Sequence, residues 1–270
     1  MKVSVIVSTY NSEEWLAKVL EGYCNQTEND FELVVADDGS TGQTKALVNS
    51  YASKFRHPIV HVWQEDNGFQ KCKILNKAIL ETHSDYLLFT DGDCIPRVDF
   101  VAQHLKYKKE GHFLSGGYFK LPLSLSKEIT LENIKHQDCF SMFWLLKKGM
   151  SFSFKLSKLV QHSFFAQFMN CITPTKKTFN GHNTSCFKKD LLAVNGFNEA
   201  MKYGGLDREL GERLSHLGII AKQIRYAAIC LHLDHSRDYF SEIERKKNTQ
   251  IRNYNKKHKV TRIANGIEKL

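Results

Sequence analysis

No two of the seven cysteines, at positions 24, 72, 94, 139, 171, 186 and 230, stand in a Cys-x-x-Cys pair, and their number is odd. Neither a structural zinc site nor a disulfide framework is therefore expected. No leader precedes the strand that opens at Lys2, so the chain reads as a reduced, cytoplasmic protein. No run of about 18 clean apolar residues occurs, which excludes a membrane-spanning helix. Acid is also missing from two long stretches. Between Cys139 and Lys189 there are eight lysines and a run of aromatics that includes Phe140, Phe143, Trp144, Phe152, Phe154, Phe164, Phe165 and Phe168, without one Asp or Glu. That stretch reads either as helices lying on a membrane surface or as a second core layer or acceptor groove. Between Arg245 and Arg262 there are eight Lys/Arg and again no acid, so this tail carries most of the net charge of +9. Anionic lipid, nucleic acid and acidic substrates all suit such a tail; the alternative is a solvated terminal helix.

What remains is ordinary for a globular protein. A chain of 270 residues that is 42% hydrophobic and 25% charged can build one large α/β domain or two small ones. Lys2 to Thr9 is a β-branched strand, followed by Ser12 as a helix N-cap and by Trp15, Leu16, Val19, Leu20 and Tyr23 at helical spacing. A second strand, Phe31 to Ala36, ends in Asp37-Asp38-Gly39-Ser40. A helix with Leu47, Val48, Tyr51 and Phe55 leads to a third strand, Pro58 to Val62. After Asn67-Gly68 comes a helix with Ile74, Leu75, Ala78 and Ile79. Strands alternating with single amphipathic helices predict a parallel sheet covered on both faces, with ligands at the strands' carboxyl ends.

The centre of this pattern is Tyr86-Leu87-Leu88-Phe89-Thr90-Asp91-Gly92-Asp93, an apolar strand that opens into two carboxylates. Positions i and i+2 of an extended chain point the same way, so Asp91 and Asp93 can face one ligand, while Gly92 permits close approach. Two hard oxygen donors suit Mg²⁺ or Mn²⁺, which completes its shell with phosphate and water. The same residues also read as a strand-ending turn. Farther on, Asn183 to Phe187 is a short strand, and Leu191 to Val194 a short helix stopped at Gly196. Gly204-Gly205 precedes a helix carrying Leu210, Leu214 and Leu217, which stops at Gly218. Asp207 then lies in that helix's first turn, where a carboxylate is also favoured by the macrodipole alone. Strands at 221–224 and 228–233 lead to His232 and His235, candidate metal ligands or simply satisfied surface histidines.

From Lys2 to about Tyr239 these residues resemble the family 2 glycosyltransferases of the GT-A fold. The resemblance is carried by Val3 to Asn11, the Asp37-Asp38-Gly39-Ser40 corner, Asn67-Gly68 with Asn76, and Asp91-Gly92-Asp93, in that order and spacing. Asn195-Gly196-Phe197-Asn198-Glu199 and Gly204-Gly205-Leu206-Asp207 are similar to a galactosyltransferase-type C-terminal segment, with Leu206 where that pattern has glutamate. The resemblance implies a Rossmann-like, mostly parallel sheet flanked by helices, with a helical aromatic insertion and a basic tail. It divides the chain into a donor-binding half (1–115), an acceptor-binding and catalytic half (116–240) and the tail (241–270). It also implies that Ser8, Thr9 and Tyr10 line a nucleoside pocket with Asn67, Gly68, Asn76 and Gly92 nearby, and that Asp38, helped by Asp37, bonds the uracil edge. Asp91 would contact ribose or sugar, Asp93 would ligate Mn²⁺ or Mg²⁺ with His232 or His235, and Asp207 would be the base.

Such a transfer needs a cation at the leaving diphosphate, for which Lys71 and Lys73 are candidates, and a carboxylate to take the acceptor's proton. The expected reaction is inverting transfer from a UDP-sugar to a surface glycan or lipid-linked glycan, at the inner face of the cell membrane. Two other readings remain open. Tyr10-Asn11-Ser12-Glu13-Glu14 is not the glycine-rich basic loop of a sugar-nucleotide-forming enzyme. A nucleic-acid-binding or non-catalytic protein of the same fold is the other reading, and no nucleic-acid recognition motif supports it.

Overall fold

The computed structural model describes residues 1–236 and 241–269. The end of the resemblance near Tyr239 and the boundary expected after residue 240 lie outside the described residues. In chain order the strands are β1 (Val3–Thr9), β2 (Phe31–Asp37), β3 (Val60–Trp63), β4 (Tyr86–Asp91), β5 (Cys94–Pro96), β6 (His112–Ser115), β7 (Gly117–Lys120), β8 (Thr184–Phe187), β9 (Ile220–Gln223) and β10 (Ile229–His232). Seven form one sheet in the order β3-β2-β1-β4-β8-β6-β9, with β4 at its centre.

The sheet is buried on both faces, as its uninterrupted apolar strands require. Val3, Val5 and Val7 of β1 point into one core layer, which they share with Trp15, Leu16, Val19, Leu20 and Tyr23 of the helix Glu13–Cys24. Ile6, one residue out of phase, points into the other layer with Ile74, Leu75, Ala78 and Ile79 of the helix Lys71–Glu81. Alternation along the strand thus assigns each helix to a face. Strands β1 to β4 are mutually parallel, whereas β8 enters antiparallel between β4 and β6. The residues after 115 therefore complete the same sheet that the first half begins.

A second sheet, ordered β5-β10-β7, stands beside the first. Its register sets His232 opposite Cys94, one residue beyond Asp93. The central strand ends at Asp91, and Gly92 and Asp93 form the turn between β4 and β5. The two carboxylates reach one side through this turn rather than through strand alternation.

The aromatic stretch is divided between core and surface. Cys139, Phe140, Leu145, Leu156, Leu159, Ala166 and Met169 join the first core layer, while Phe143, Phe152, Phe154, Phe164 and Phe168 are exposed. The basic tail begins with the helix Glu242–Lys257, which packs on the helix Leu206–His216. Arg252 and Lys256 both pair with Glu212, at 2.6 and 3.0 Å, and Asn248 Nδ2 donates to the carbonyls of Lys202, Tyr203 and Gly204 at 2.9–3.1 Å. Part of the tail's charge is thus turned inward, against the segment that carries Asp207. All seven cysteines are free, and no helix among the described residues is long and apolar enough to cross a membrane.

Candidate active site

At the carboxyl ends of β1, β2 and β4 lies a cavity of about 560 Å³. From the first half it is lined by Ser8, Thr9, Tyr10, Asp38, Gly68, Lys71, Asp91, Gly92 and Asp93, and from the second by Tyr203 to Asp207, His232 and His235. This volume is in the range that encloses a nucleotide-sized ligand.

Asp91 anchors the floor. Its Oδ1 accepts from Lys71 Nζ at 2.6 Å and from Ser8 Oγ at 2.8 Å. Burial opposes its charge, but the Lys71 ammonium prevails and holds the carboxyl down at about 2. Burial likewise opposes the charge on Lys71, yet Asp91 and then Asp207 keep it protonated well above the ordinary lysine range. Lys73, two residues on, does not line the cavity. Gly92 lies close against the end of β1: its N–H donates to Ser8 O at 2.8 Å, and a Cβ there would stand only 3.0 Å from that oxygen.

Asp93 sits where the two sheets meet. His235 Nε2 is 2.9 Å and His232 Nε2 3.6 Å from Asp93 Oδ2, and the two imidazoles stack at 6.1 Å. Burial again works against the carboxylate, while His235 and His232 hold its pKa below the ordinary value. Among the described residues, Asp93, Cys94 and His232 also bring donor atoms within 4.8 Å of one another. Burial pushes the Cys94 thiol well up, and it donates to Asp93 Oδ1 at 3.3 Å, which helps hold that carboxylate in place. One carboxylate and two imidazoles on the cavity wall fit a divalent cation whose remaining positions are filled by phosphate oxygens.

Asp38 lines the cavity just beyond the end of β2. Its Oδ1 accepts from Gln64 Nε2 at 2.6 Å and its Oδ2 from the Gln70 N–H at 2.9 Å; burial still raises its pKa. Tyr10 stands at the rim, its hydroxyl on Asp66 Oδ2 at 2.8 Å. Three expected positions lie off the cavity lining. Asp37, adjacent to Asp38 and of opposite direction, is fully buried and accepts from Ser40 N–H and His61 at 2.8 and 2.9 Å, which closes the turn after β2. Asn67 is exposed, and its carbonyl accepts from Gln70 Nε2 at 3.3 Å. Asn76 is buried on the other side of its helix. Its amide clasps both the N–H and the carbonyl of Phe197 at 2.8 and 2.9 Å and reaches Glu199 at 3.0 Å, so it ties two of the sequence motifs together.

Asp207 opens the helix Leu206–His216 behind Gly205, whose φ of +81° is left-handed and favours glycine. Its Oδ1 is buried against the backbone of Gly181. Burial drives the carboxyl up, Lys71 draws it back, Asp91 pushes it up again and the Gly181 N–H lowers it, to about 6. A carboxylate that lines the cavity and stands at about 6 can accept a proton near neutrality. Leu206, where the resemblance led to an expected glutamate, is 5% exposed and packs in the second core layer.

Several residues that the sequence did not single out complete the site. His182 packs against Tyr118 and His232 at ring distances of 4.7 and 6.4 Å, and burial pushes it down to about 4 although Asp91 opposes this. A Cβ on its neighbour Gly181 would meet Asp207 Oδ1 at 2.8 Å. Phe69 and Tyr203 line the mouth, ring to ring at 5.9 Å. Beneath the Asp207 helix, Arg213 and Glu209 form a fully buried bidentate pair at 2.7 and 2.9 Å, and Arg213 also donates to the carbonyls of Val194 and Gly196. The i, i+4 spacing of Glu209 and Arg213 on a leucine-lined face was the signal available in sequence. His182 had none beyond its glycine neighbour.

Residues 4–175 match the family model described as Glycosyl transferase family 2. Chondroitin synthase of Escherichia coli is 26% identical over 236 residues, which cover 83% of this chain and 34% of that protein. The uncharacterized glycosyltransferase YfnE of Bacillus subtilis is 27% identical over 261 residues, 87% of this chain and 65% of that one. The chain thus spans 34% and 65% of the length of these two curated relatives. Among solved structures, Staphylococcus aureus TarS residues 1–349 in complex with UDP superposes with a TM-score of 0.61 at 19% identity, covering 96% of this chain and 68% of that chain. The mannosyltransferase PcManGT from Pyrobaculum calidifontis, in complex with GDP-Man and Mn²⁺, gives 0.57 at 19%, covering 88% and 58%. At those identities the likeness is one of fold.

Proposed function

The chain belongs to glycosyl transferase family 2, and on that premise we propose that it moves a hexose or N-acetylhexosamine from a UDP-sugar to a hydroxyl of a surface glycan, such as a lipopolysaccharide core or capsule chain, with inversion. The observation that carries the reading is the meeting of Asp38, Asp91, Asp93 and Asp207 with Lys71 and two histidines around one cavity. TarS structures that hold UDP and UDP-GlcNAc support the choice of donor.

Asp38 bonds the uracil edge, with Tyr10 and Thr9 at the nucleoside. Asp91, kept ionised by Lys71, positions ribose or sugar hydroxyls, and the Lys71 ammonium faces the diphosphate. Asp93, His232 and His235 would hold Mn²⁺ or Mg²⁺, which would supply positive charge to offset that of the departing diphosphate. Asp207 accepts the acceptor hydroxyl's proton as that oxygen attacks the anomeric carbon; the glycosidic bond to the phosphate oxygen breaks and UDP leaves. No second carboxylate is assigned as a nucleophile, so one displacement inverts the centre. The segment with Asn195 to Asp207, beyond the family match, acts as a galactosyltransferase-type acceptor segment whose glutamate has become a core leucine.

The test is UDP release from a panel of UDP-sugars with and without Mn²⁺. One donor should turn over only with metal, Asp93→Ala should lose the metal response, and Asp207→Asn should bind UDP without transfer. Absence of UDP binding under every metal would overturn the proposal.

A further inference from the structure

The exposed aromatics of the lysine-rich stretch carry an inference independent of the donor chemistry. Phe143, Phe152, Phe154, Phe164, Phe168 and Ile172 are 82, 84, 72, 74, 53 and 55% exposed. Three of them form a stripe on the helix Ser163–Ile172, where Phe164, Phe168 and Ile172 recur every four residues. The opposite face is anchored: Ala166 and Met169 are buried, Phe165 packs edge-on against Tyr226 at 6.4 Å, and Asn170 Oδ1 accepts the Tyr226 N–H at 2.9 Å. The same division occurs on the helix Met142–Lys147, where Leu145 is buried while Phe143 and Leu146 are exposed. Anchoring on one side means the stripe is held in place, not left over from a loosely packed helix.

We propose that this face docks the protein on an anionic lipid surface, with the phenylalanines below the headgroups and the flanking lysines among them. Charge selects lipid over a protein partner. From Cys139 to Lys189 the chain holds eight lysines and no acid, and Lys147, Lys155, Lys176 and Lys177 are exposed beside the aromatics. Basic residues around phenylalanine on an amphipathic helix are the composition that partitions into a headgroup layer. A helix of ten residues, about 15 Å long, lies within that layer and cannot cross it. The tail helix is the weaker candidate for this contact, because Arg252 and Lys256 pair with Glu212.

Flotation of the 270-residue chain with vesicles tests this, using phosphatidylcholine alone and phosphatidylcholine mixed with phosphatidylglycerol. The chain should float with the anionic vesicles and float less in high salt. Phe164→Ser/Phe168→Ser should bind at least about tenfold more weakly, whereas Phe164→Leu/Phe168→Leu should bind like the wild type. Lys176→Gln/Lys177→Gln should bind the anionic vesicles more weakly by about fivefold per lysine. Thermal unfolding of each variant, unchanged and cooperative, separates loss of docking from loss of fold, and UDP binding separates it from failure of the transferase reading. A folded chain that floats with neither vesicle overturns the proposal. So does equal flotation of the serine variant, or self-association abolished by the serine pair in a chain that does not float.

Discussion

Replacing Asp207 by asparagine should abolish transfer and stabilise the protein, and the second effect should depend on pH. The wild-type carboxyl stands at about 6 in the folded chain against an ordinary 3.8, because its burial and the nearby Asp91 outweigh the attraction of Lys71. With a folded pKa above the unfolded one, the native state binds a proton more tightly. The resulting stability is fully present below about pH 4 and lost as pH rises through about 6. At about 1.4 kcal/mol per pH unit, the ionised group costs the folded state up to about 3 kcal/mol at pH 8. The neutral amide of Asp207→Asn avoids that cost. In a domain of this size its melting temperature should rise by about 5–10 °C at pH 8 and stay nearly unchanged at pH 4. Kinetics supply the other half. Wild-type kcat/KM should climb tenfold per pH unit up to about pH 6 and then level, as the base loses its proton. Asp207→Asn should lower kcat by about 10²–10⁴ while UDP affinity is kept. Thermal melts at both pH values and a pH profile of UDP release are the assays. An equal gain in melting temperature at pH 4 and pH 8, or a variant that transfers at the wild-type rate, would refute the reasoning.

Lys71→Met removes the cation that lowers the Asp207 pKa, so the limb of the pH profile should move to higher pH, and UDP affinity should fall by about 10–100-fold. His232→Ala and His235→Ala should each raise the Mn²⁺ concentration needed for UDP binding, read by calorimetric titration at fixed nucleotide; unchanged metal response in both would remove them from the metal site. Asn76→Ala strands the buried N–H and carbonyl of Phe197 and should cost about 2–4 kcal/mol in denaturant unfolding, with UDP affinity of the folded protein unaltered. Glu209→Ala leaves the buried Arg213 guanidinium without its carboxylate and should destabilise by about 3–5 kcal/mol, which a urea titration would measure.

Much of this was legible along the chain because it is local. The β-branched run at β1, the apolar run at β4 and the helical spacing of Trp15 to Tyr23 and Ile74 to Ile79 each declare their own buried face, and their alternation implies a parallel sheet. Asp38, Gly68, Lys71, Asp91 and Asp207 lie at the ends of those elements, which is why their types and positions pointed to the cavity they line. Asp37 could have been separated from Asp38 by the same alternation, since neighbours at a strand end face opposite ways. What periodicity does not encode is the partner. That β8 runs antiparallel between β4 and β6, and that β10 pairs with β5 so that His232 arrives beside Asp93, depends on registers between residues far apart in the chain. Hydrogen bonding between strands is indifferent to most side chains, so only packing of the whole core selects those registers. The direction of Asn76 toward Phe197, the pairing of tail cations with Glu212 and the place of His182 beside His232 follow from them. Composition states how much charge and aromatic surface a segment has; the tertiary structure alone decides which side chains the core covers and which it leaves to a partner.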